Sequence, residues 1–338
     1  MVTERPAGSR PTLRQVAALS GVSLKTASRA LNGERYVSTG TAERVRAAAE
    51  QLGFRRNAIA RDLRAGARSS LVGLIISDLG NPFYSRVARG AERRLRSAGL
   101  QLVSASSDED PDLEHVLVAE MLERRVSALL IVPSGADHGY LEPERRLGLP
   151  VVFLDREPDD IVADSVVLDN AGGMHSAVTH VLDRGHRRIG LVGDFARLAT
   201  HRQRLAAFEA SMTAAGVGDW ARYVRADCHD AMTAEQAVRA LLSLDPPPSA
   251  LITTNNLITT GALRALRGRV EPPALVGFDD FDLADVLGVT VVAHDPERMG
   301  EIGAEQILRR LEGTSGPARR VLLPTKLIER NSATKSLF

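Results

Sequence analysis

The chain has 338 residues, more than one ordinary domain needs, and its 44% hydrophobic content with only 4% aromatics and 28 glycines suits aliphatic α/β layers. The net charge of +1 hides an asymmetry, because residues 1–70 hold 13 Lys/Arg against 5 Asp/Glu (+8) and the remainder 30 against 37 (−7), a basic head on an acidic body. The lone Cys228 excludes an internal disulfide framework and a cysteine-based zinc cluster, while the N-terminus lacks an apolar signal core and no run approaches 18 apolar residues, so a cytoplasmic, non-membrane protein is expected.

In chain order, Thr12 with Gln15 reads as a capping box that starts a helix carrying Leu13, Val16, Ala17 and Leu19 inward. Gly21 stops it, and Ser23 is the N-cap of a second helix whose buried side is Ala27, Ala30 and Leu31. This is a helix-turn-helix pattern with Lys25 and Arg29 one turn apart, two cations that need an anionic partner such as the phosphates and guanine edges of a DNA major groove. A third helix runs through "TAERVRAAAEQLGF" to near Gly53. Residues 55–70 have helix-forming composition but too few apolar groups for a core, which predicts a linker helix that depends on a partner.

From Leu71 the pattern becomes strand and helix in alternation. "LVGLIIS", "QLVSAS", "ALLIV" and "VVFLD" alternate with helices at about 83–98 and 111–125. "RRIGLVG", "RYVRAD", "SALITT" and "ALVGFD" alternate with helices at about 171–184, 201–215, 231–243 and 256–267, and a last helix covers about 297–312. Continuous apolar strands joined by crossover helices predict two parallel sheets, with a ligand cleft at the strand carboxyl ends.

The order and spacing of these motifs resemble the LacI/GalR family of bacterial transcriptional regulators over essentially the whole chain. "TLRQVAALSGVSLKTASRALNG" is similar to its DNA-reading head, "RNAIARDLR" to its hinge helix, "NPFYSRVARGAE" to its first cleft helix, and "LDNAGGMHSAVTHVLDRGHRRIGLVGD" to its central signature. "TTNNLITTGALRAL", "LVGFDDFDLAD" and "LIERNS" complete the match. The resemblance implies an α/β protein with an all-α helix-turn-helix head (1–56), a hinge helix (57–68) and a two-lobed, type I periplasmic-binding-protein-like core with two parallel sheets (69–338). The first lobe is expected at about 69–168 and 296–330, the second at about 169–295.

It also implies a homodimer on double-stranded operator DNA, released by a small-molecule effector, a sugar or related metabolite, with no cofactor and no metal. Leu24, Lys25 and Arg29 fall where the family reads base edges, and Thr12, Ser23, Ser28, Asn32, Tyr36 and Ser38 where it supports that reading. Leu24 departs from the polar or aromatic reader common there and suits a thymine methyl. Leu63, flanked by Asn57 and Arg64, falls at the position of a minor-groove wedge. The implied effector positions are Phe83, Tyr84, Asp155, Leu198, Thr200, Arg204, Asn255, Asp279 and His294, of which Leu198 and His294 depart from the family's usual groups. The sign of regulation implied first is induction, with corepression the alternative.

Other chemistry has little support in the residues. "GLVGD" lacks a Walker lysine and the full dinucleotide glycine pattern, no His-Glu-x-x-His run occurs, and no nucleophile has a placed base. A stand-alone sugar receptor is opposed by the basic head, and a cleft enzyme by the missing catalytic constellation.

Overall fold

The structure, a computed structural model, describes residues 11–34, 36–55 and 69–333. The chain divides into two compact units, Met1–Arg68 and Ser69–Phe338. The expected hinge helix over 57–68 lies outside the described residues.

In the first unit, α1 (Leu13–Ser20), α2 (Leu24–Asn32) and α3 (Thr39–Leu52) pack around Val16, Ala27 and Val45, none of which is exposed. Thr12 and Gln15 form the capping box, Gly21 takes a left-handed backbone (φ 67°) at the C-cap of α1, and the Ser23 hydroxyl accepts from Thr26 N. These local signals specify the turn between α1 and α2. Leu19 departs from expectation. It is 48% exposed, because the buried stripe of α1 is defined by Val16, Ala17 and Ser20 and the next position turns outward.

The second unit contains two sheets of six strands. The first has the order β11-β5-β4-β3-β1-β2 and the second β12-β10-β9-β8-β6-β7. The first is built from β1 (Leu71–Ile76), β2 (Gln101–Ser106), β3 (Ala128–Ile131), β4 (Val151–Asp155), β5 (Asp164–Leu168) and β11 (Arg320–Leu323), all in parallel pairing. The second comprises β6 (Ile189–Val192), β7 (Val224–Arg225), β8 (Ala250–Thr253), β9 (Ala274–Phe278), β10 (Thr290–Ala293) and β12 (Lys326–Ile328), with β12 antiparallel to β10. Central strands such as β3, β6 and β8 are buried along their whole length, as strands covered on both faces must be.

Helices α4 (Pro82–Ser97), α5 (Pro111–Glu123) and α6 (Glu142–Arg146) belong with the first sheet; α7 (Asn170–Asp183), α8 (Ala199–Ala214), α9 (Ala231–Leu242) and α10 (Asn256–Leu266) belong with the second. The chain passes between the sheets after β5, after β10 and again between β11 and β12. Helix α11 (Pro296–Leu311) returns to the first sheet and lies against α4. The crossing is close. A Cβ added at Gly300 would sit 1.9 Å from the Val87 carbonyl oxygen, and one at Gly90 2.0 Å from that of Glu297.

Three features differ from the expected pattern. β5, of five residues, and β10, of four, were not among the expected strands. β7 is reduced to Val224–Arg225. The expected return of 296–330 to the first lobe ends early, because β12 pairs with the edge of β10 and buries Leu327 and Ile328 against the second core.

Candidate functional site

A polar cavity, partly open to solvent, lies where the carboxyl ends of both sheets face each other, the usual place for a ligand in open parallel sheets. Two helices that start here are capped by Asn. Asn81 caps α4 by accepting from Phe83 N at 3.0 Å, with Pro82 at the first helical position, and Asn255 caps α10 by accepting from Ile258 N at 2.8 Å. Both caps line the cavity, so one side chain satisfies a helix terminus and shapes the site. Asn256 Nδ2 donates to Asn81 Oδ1 at 2.9 Å and joins the two lobes.

The cavity brings together Phe83, Tyr84, Asp155, Thr200, Arg204, Asn255 and Asp279 from the expected set. Asp155 and Asp279 hold left-handed backbones, φ 65° and 70°, at the ends of β4 and β9, conformations that non-glycine residues rarely keep without a reason. Arg204 Nε donates to Asn170 Oδ1 at 2.9 Å, Nη1 donates to the Thr254 carbonyl, and the guanidinium lies 3.8 Å from the centre of the Phe278 ring. It is thereby fixed without an ion pair to Asp279.

Leu198 and His294 are not on the cavity wall. Leu198 is the N-cap of α8, 3% exposed, and the following turns present Thr200 and Arg204 instead. His294 sits behind Asp279, its Nε2 donating to Asp279 Oδ1 at 2.8 Å and its ring meeting Phe83 edge-on at 5.4 Å. Burial pushes the Asp279 carboxyl up, but the His294 hydrogen bond and the Arg204 charge outweigh it and hold the group below its ordinary range. For Asp155 burial wins over Arg156 and Arg204, and its carboxyl is raised. Burial likewise keeps the Tyr84 hydroxyl protonated far above its usual range.

Sequence reasoning missed Asp78, Asn81, Glu109, Arg156, Asp194 and His229, which complete the wall. Arg156 and Glu109 form a buried two-point ion pair at 2.6 and 2.7 Å. His229 Nδ1 donates to Asp194 Oδ1 at 2.9 Å, and its ring stacks on Phe195 at 4.6 Å. This bond raises the His229 pKa; at Asp194 it offsets the burial cost and, with the nearby positive charges, leaves the carboxyl lowered. The available signal was position, since each lies within four residues after a predicted strand, and "DCHD" in particular overlaps the end of the strand at "RYVRAD".

On the first unit, Leu24 is 48% exposed and Lys25 is also exposed on the outer face of α2. Ser28 is half-buried. Arg29 meets Glu34 at 3.4 Å, both side chains 43% exposed, so an anion within the chain already faces this cation. Asn32 is exposed and donates to Glu34 Oε1 at 3.2 Å. Tyr36 is 90% exposed, and Ser38 caps α3 while its hydroxyl donates to Thr41 Oγ1 at 2.9 Å. Thr12 and Ser23 are committed to the helix caps described above. Asn57, Leu63 and Arg64 lie outside the described residues.

A helix-turn-helix unit and a two-sheet unit with a polar cleft in one chain are the pairing of DNA-binding regulators with periplasmic-binding-protein-like cores. Residues 12–57 match the model of bacterial regulatory proteins of the lacI family, and residues 178–333 that of a periplasmic binding protein-like domain. The chain is 34% identical to the HTH-type transcriptional regulator PtxS of Pseudomonas aeruginosa over 97% of each chain. It is 28% identical to the ribose operon repressor of Escherichia coli over 95% of this chain and 99% of the relative. Its fold is similar to that of the lac repressor dimer bound to operator and the anti-inducer ONPF, with a TM-score of 0.81, 25% identity and coverage of 96% and 99%. The chain belongs to the lacI family of bacterial regulatory proteins. Among the described residues no helix is long and apolar enough to cross a membrane.

Proposed function

We propose that this chain is a cytoplasmic, effector-responsive repressor, not an enzyme, that binds a pseudo-palindromic operator as a homodimer and is released by a small hydroxyl-rich molecule. The division into head (1–56), hinge (57–68) and core (69–338) is part of this reading. The observation that carries it is the joint presence of an exposed basic face on α2, opposite the Ala27 and Ala30 side that packs the first unit, and a polar cavity, partly open to solvent, in the second. The names of its relatives, a ribose operon repressor and a lac repressor bound to operator and anti-inducer, support the same pairing of operator and small ligand.

In this reading Lys25 and Arg29 contact base edges, Leu24 meets a thymine methyl, and Thr12, Ser23, Ser28, Asn32, Tyr36 and Ser38 hold the helix to the backbone. Arg29 exchanges Glu34 for DNA. Leu63 acts as the minor-groove wedge between Asn57 and Arg64. The effector is held by Asp155, Arg204, Asn255 and Asp279, with Thr200 beside them and Phe83 and Tyr84 closing the apolar side. Leu198 and His294 act from behind the wall.

Selection from random duplexes with the full chain tests the DNA half. A two-fold symmetric site is expected, with specific binding weakened in Lys25→Ala and Arg29→Ala. Recovery of no symmetric site, or an unchanged preference in both variants, would overturn the reading.

A further inference from the structure

We propose that Glu109 sets the charge preference of the cleft, confining it to uncharged hydroxylated ligands by occupying the buried guanidinium of Arg156. The proposal rests on the effector-cleft reading above. An arginine fork at a cavity wall is the natural receptor for a carboxylate or phosphate, because its paired N–H groups match two anionic oxygens. Arg156 follows directly on β4 and is 5% exposed, yet its fork is already filled. Nη1 donates to Glu109 Oε2 at 2.7 Å and Nη2 to Glu109 Oε1 at 2.6 Å.

The remaining donors are directed elsewhere. Nη1 also donates to the Pro133 carbonyl at 2.8 Å, Nη2 to the Tyr84 hydroxyl at 3.1 Å, and Nε lies 3.4 Å from Asp155 Oδ2. The loop that supplies Glu109 is built for this placement. Asp108 and Glu109 both hold left-handed backbones, φ 49° and 60°, the Glu109 side chain is 2% exposed, and Arg197 of the other lobe donates to the Glu109 carbonyl at 2.6 Å.

What the cavity then offers a ligand is chiefly acceptors. Asp155 accepts no hydrogen bond among the described residues, although its side chain is only 8% exposed and borders the cavity. Asp279, already bonded by His294 and by the Asn256 backbone N–H, adds a further carboxylate, as do Asp78 and Asp194. The open guanidinium edge is Nη2 of Arg204, whose Nε and Nη1 are taken by Asn170 and Thr254. Hydroxyl groups satisfy such a wall by donating to it. A carboxylate or phosphate would meet the Arg204 edge and the His229 ring, the latter already paired with Asp194, among several carboxylates, and like charges in a partly buried site repel strongly.

The test uses the full chain and matched neutral and acidic sugars: D-glucose with D-gluconate and D-glucuronate, D-galactose with D-galacturonate, and D-ribose with D-ribonate. Thermal shift finds the hits and calorimetric titration measures them in wild type, Glu109→Gln and Glu109→Gln/Arg156→Gln. Wild type is expected to bind a neutral member and reject its acids. Glu109→Gln, isosteric but uncharged, should gain at least tenfold in affinity for an acid, and the double variant should lose that gain; structural damage alone produces no such gain.

A wild type that prefers an acid, or binds no neutral member, overturns the proposal whether or not the variants fold. A folded Glu109→Gln that gains no affinity for any acid overturns the role of Glu109 while leaving the cleft reading intact. Binding of a neutral member that survives Arg204→Ala unchanged lies outside the cleft and overturns the reading beneath.

Discussion

Asp279 and Arg204 illustrate how single residues carry the proposed ligand site, since each is fixed by a neighbour that faces away from the cavity. His294 holds Asp279, and Asn170 with the Thr254 carbonyl holds Arg204. Asp279→Ala and Arg204→Ala are therefore expected to abolish the stabilisation that a bound effector produces, about 2.7 kcal/mol at a hundredfold excess over Kd, while operator binding persists. Thermal shift with and without ligand checks this, and normal ligand binding by both variants contradicts it. The pair His229–Asp194 predicts a pH dependence. His229 is raised in the folded state, so its contribution is complete below its ordinary value of 6.5 and is lost as pH rises through the raised one. Asp194 is lowered, so its contribution is complete above 3.8 and is lost as pH falls through the lowered value. His229→Asn should lower core stability by roughly 1.5–3 kcal/mol at most near pH 6, with the difference from wild type shrinking toward pH 9. Unfolding curves at the two pH values measure it.

At the scale of elements, α2 is stabilised by its Ser23 cap and by burying Ala27 and Ala30, which leaves Lys25 free for a partner and Arg29 tied only to Glu34. An exposed pair of this kind contributes about 0.2–1 kcal/mol, less than the two-point guanine contact proposed for Arg29, so the exchange is expected to favour DNA. Lys25→Ala and Arg29→Ala should each cost about 1–3 kcal/mol of specific binding where a base contact is lost, with little change in Tm. Equilibrium gel shifts with selected and scrambled duplexes separate the specific loss from the general one. The α4–α11 crossing makes the opposite demand, because Gly90 and Gly300 face backbone that a methyl group would penetrate. Gly300→Ala is expected to force the helices apart and destabilise the core by about 1–3 kcal/mol, read as a lower denaturation midpoint. A midpoint equal to wild type would show that the crossing relaxes freely.

For the whole molecule, an effector can shift operator affinity only through its different affinities for two states of the core. The coupling must then be reciprocal: operator DNA changes effector affinity by the same factor, expected at roughly 5- to 150-fold for a coupling of 1–3 kcal/mol. Titrating effector with and without saturating operator gives one side of the cycle, and titrating operator with and without effector gives the other. In the inducible sense proposed here, each ligand weakens the other. Equal effector affinities in the presence and absence of operator would sink the allosteric reading, and mutual strengthening would make the protein a corepressor-dependent regulator.

The sequence by itself determined whatever depends on neighbours along the chain. The Thr12–Gln15 box, the Gly21 turn and the Ser23 cap place the helix-turn-helix, and the aliphatic runs at β1, β4, β6 and β8 specify parallel strands covered on both sides. Asp155, Arg204, Asn255 and Asp279 were legible as candidates through the family resemblance, which agrees with the rule that ligands in such sheets sit near strand carboxyl ends. Tertiary structure alone decided that Lys326–Ile328 closes the second sheet and that His294 stands behind Asp279. It also decided that Arg156 spends its fork on Glu109, 47 residues away in the chain. The reason is physical: local periodicity and capping energies act over a few residues, whereas the charge of a cleft depends on which ionic groups converge in space, and that convergence exists only once both sheets have formed.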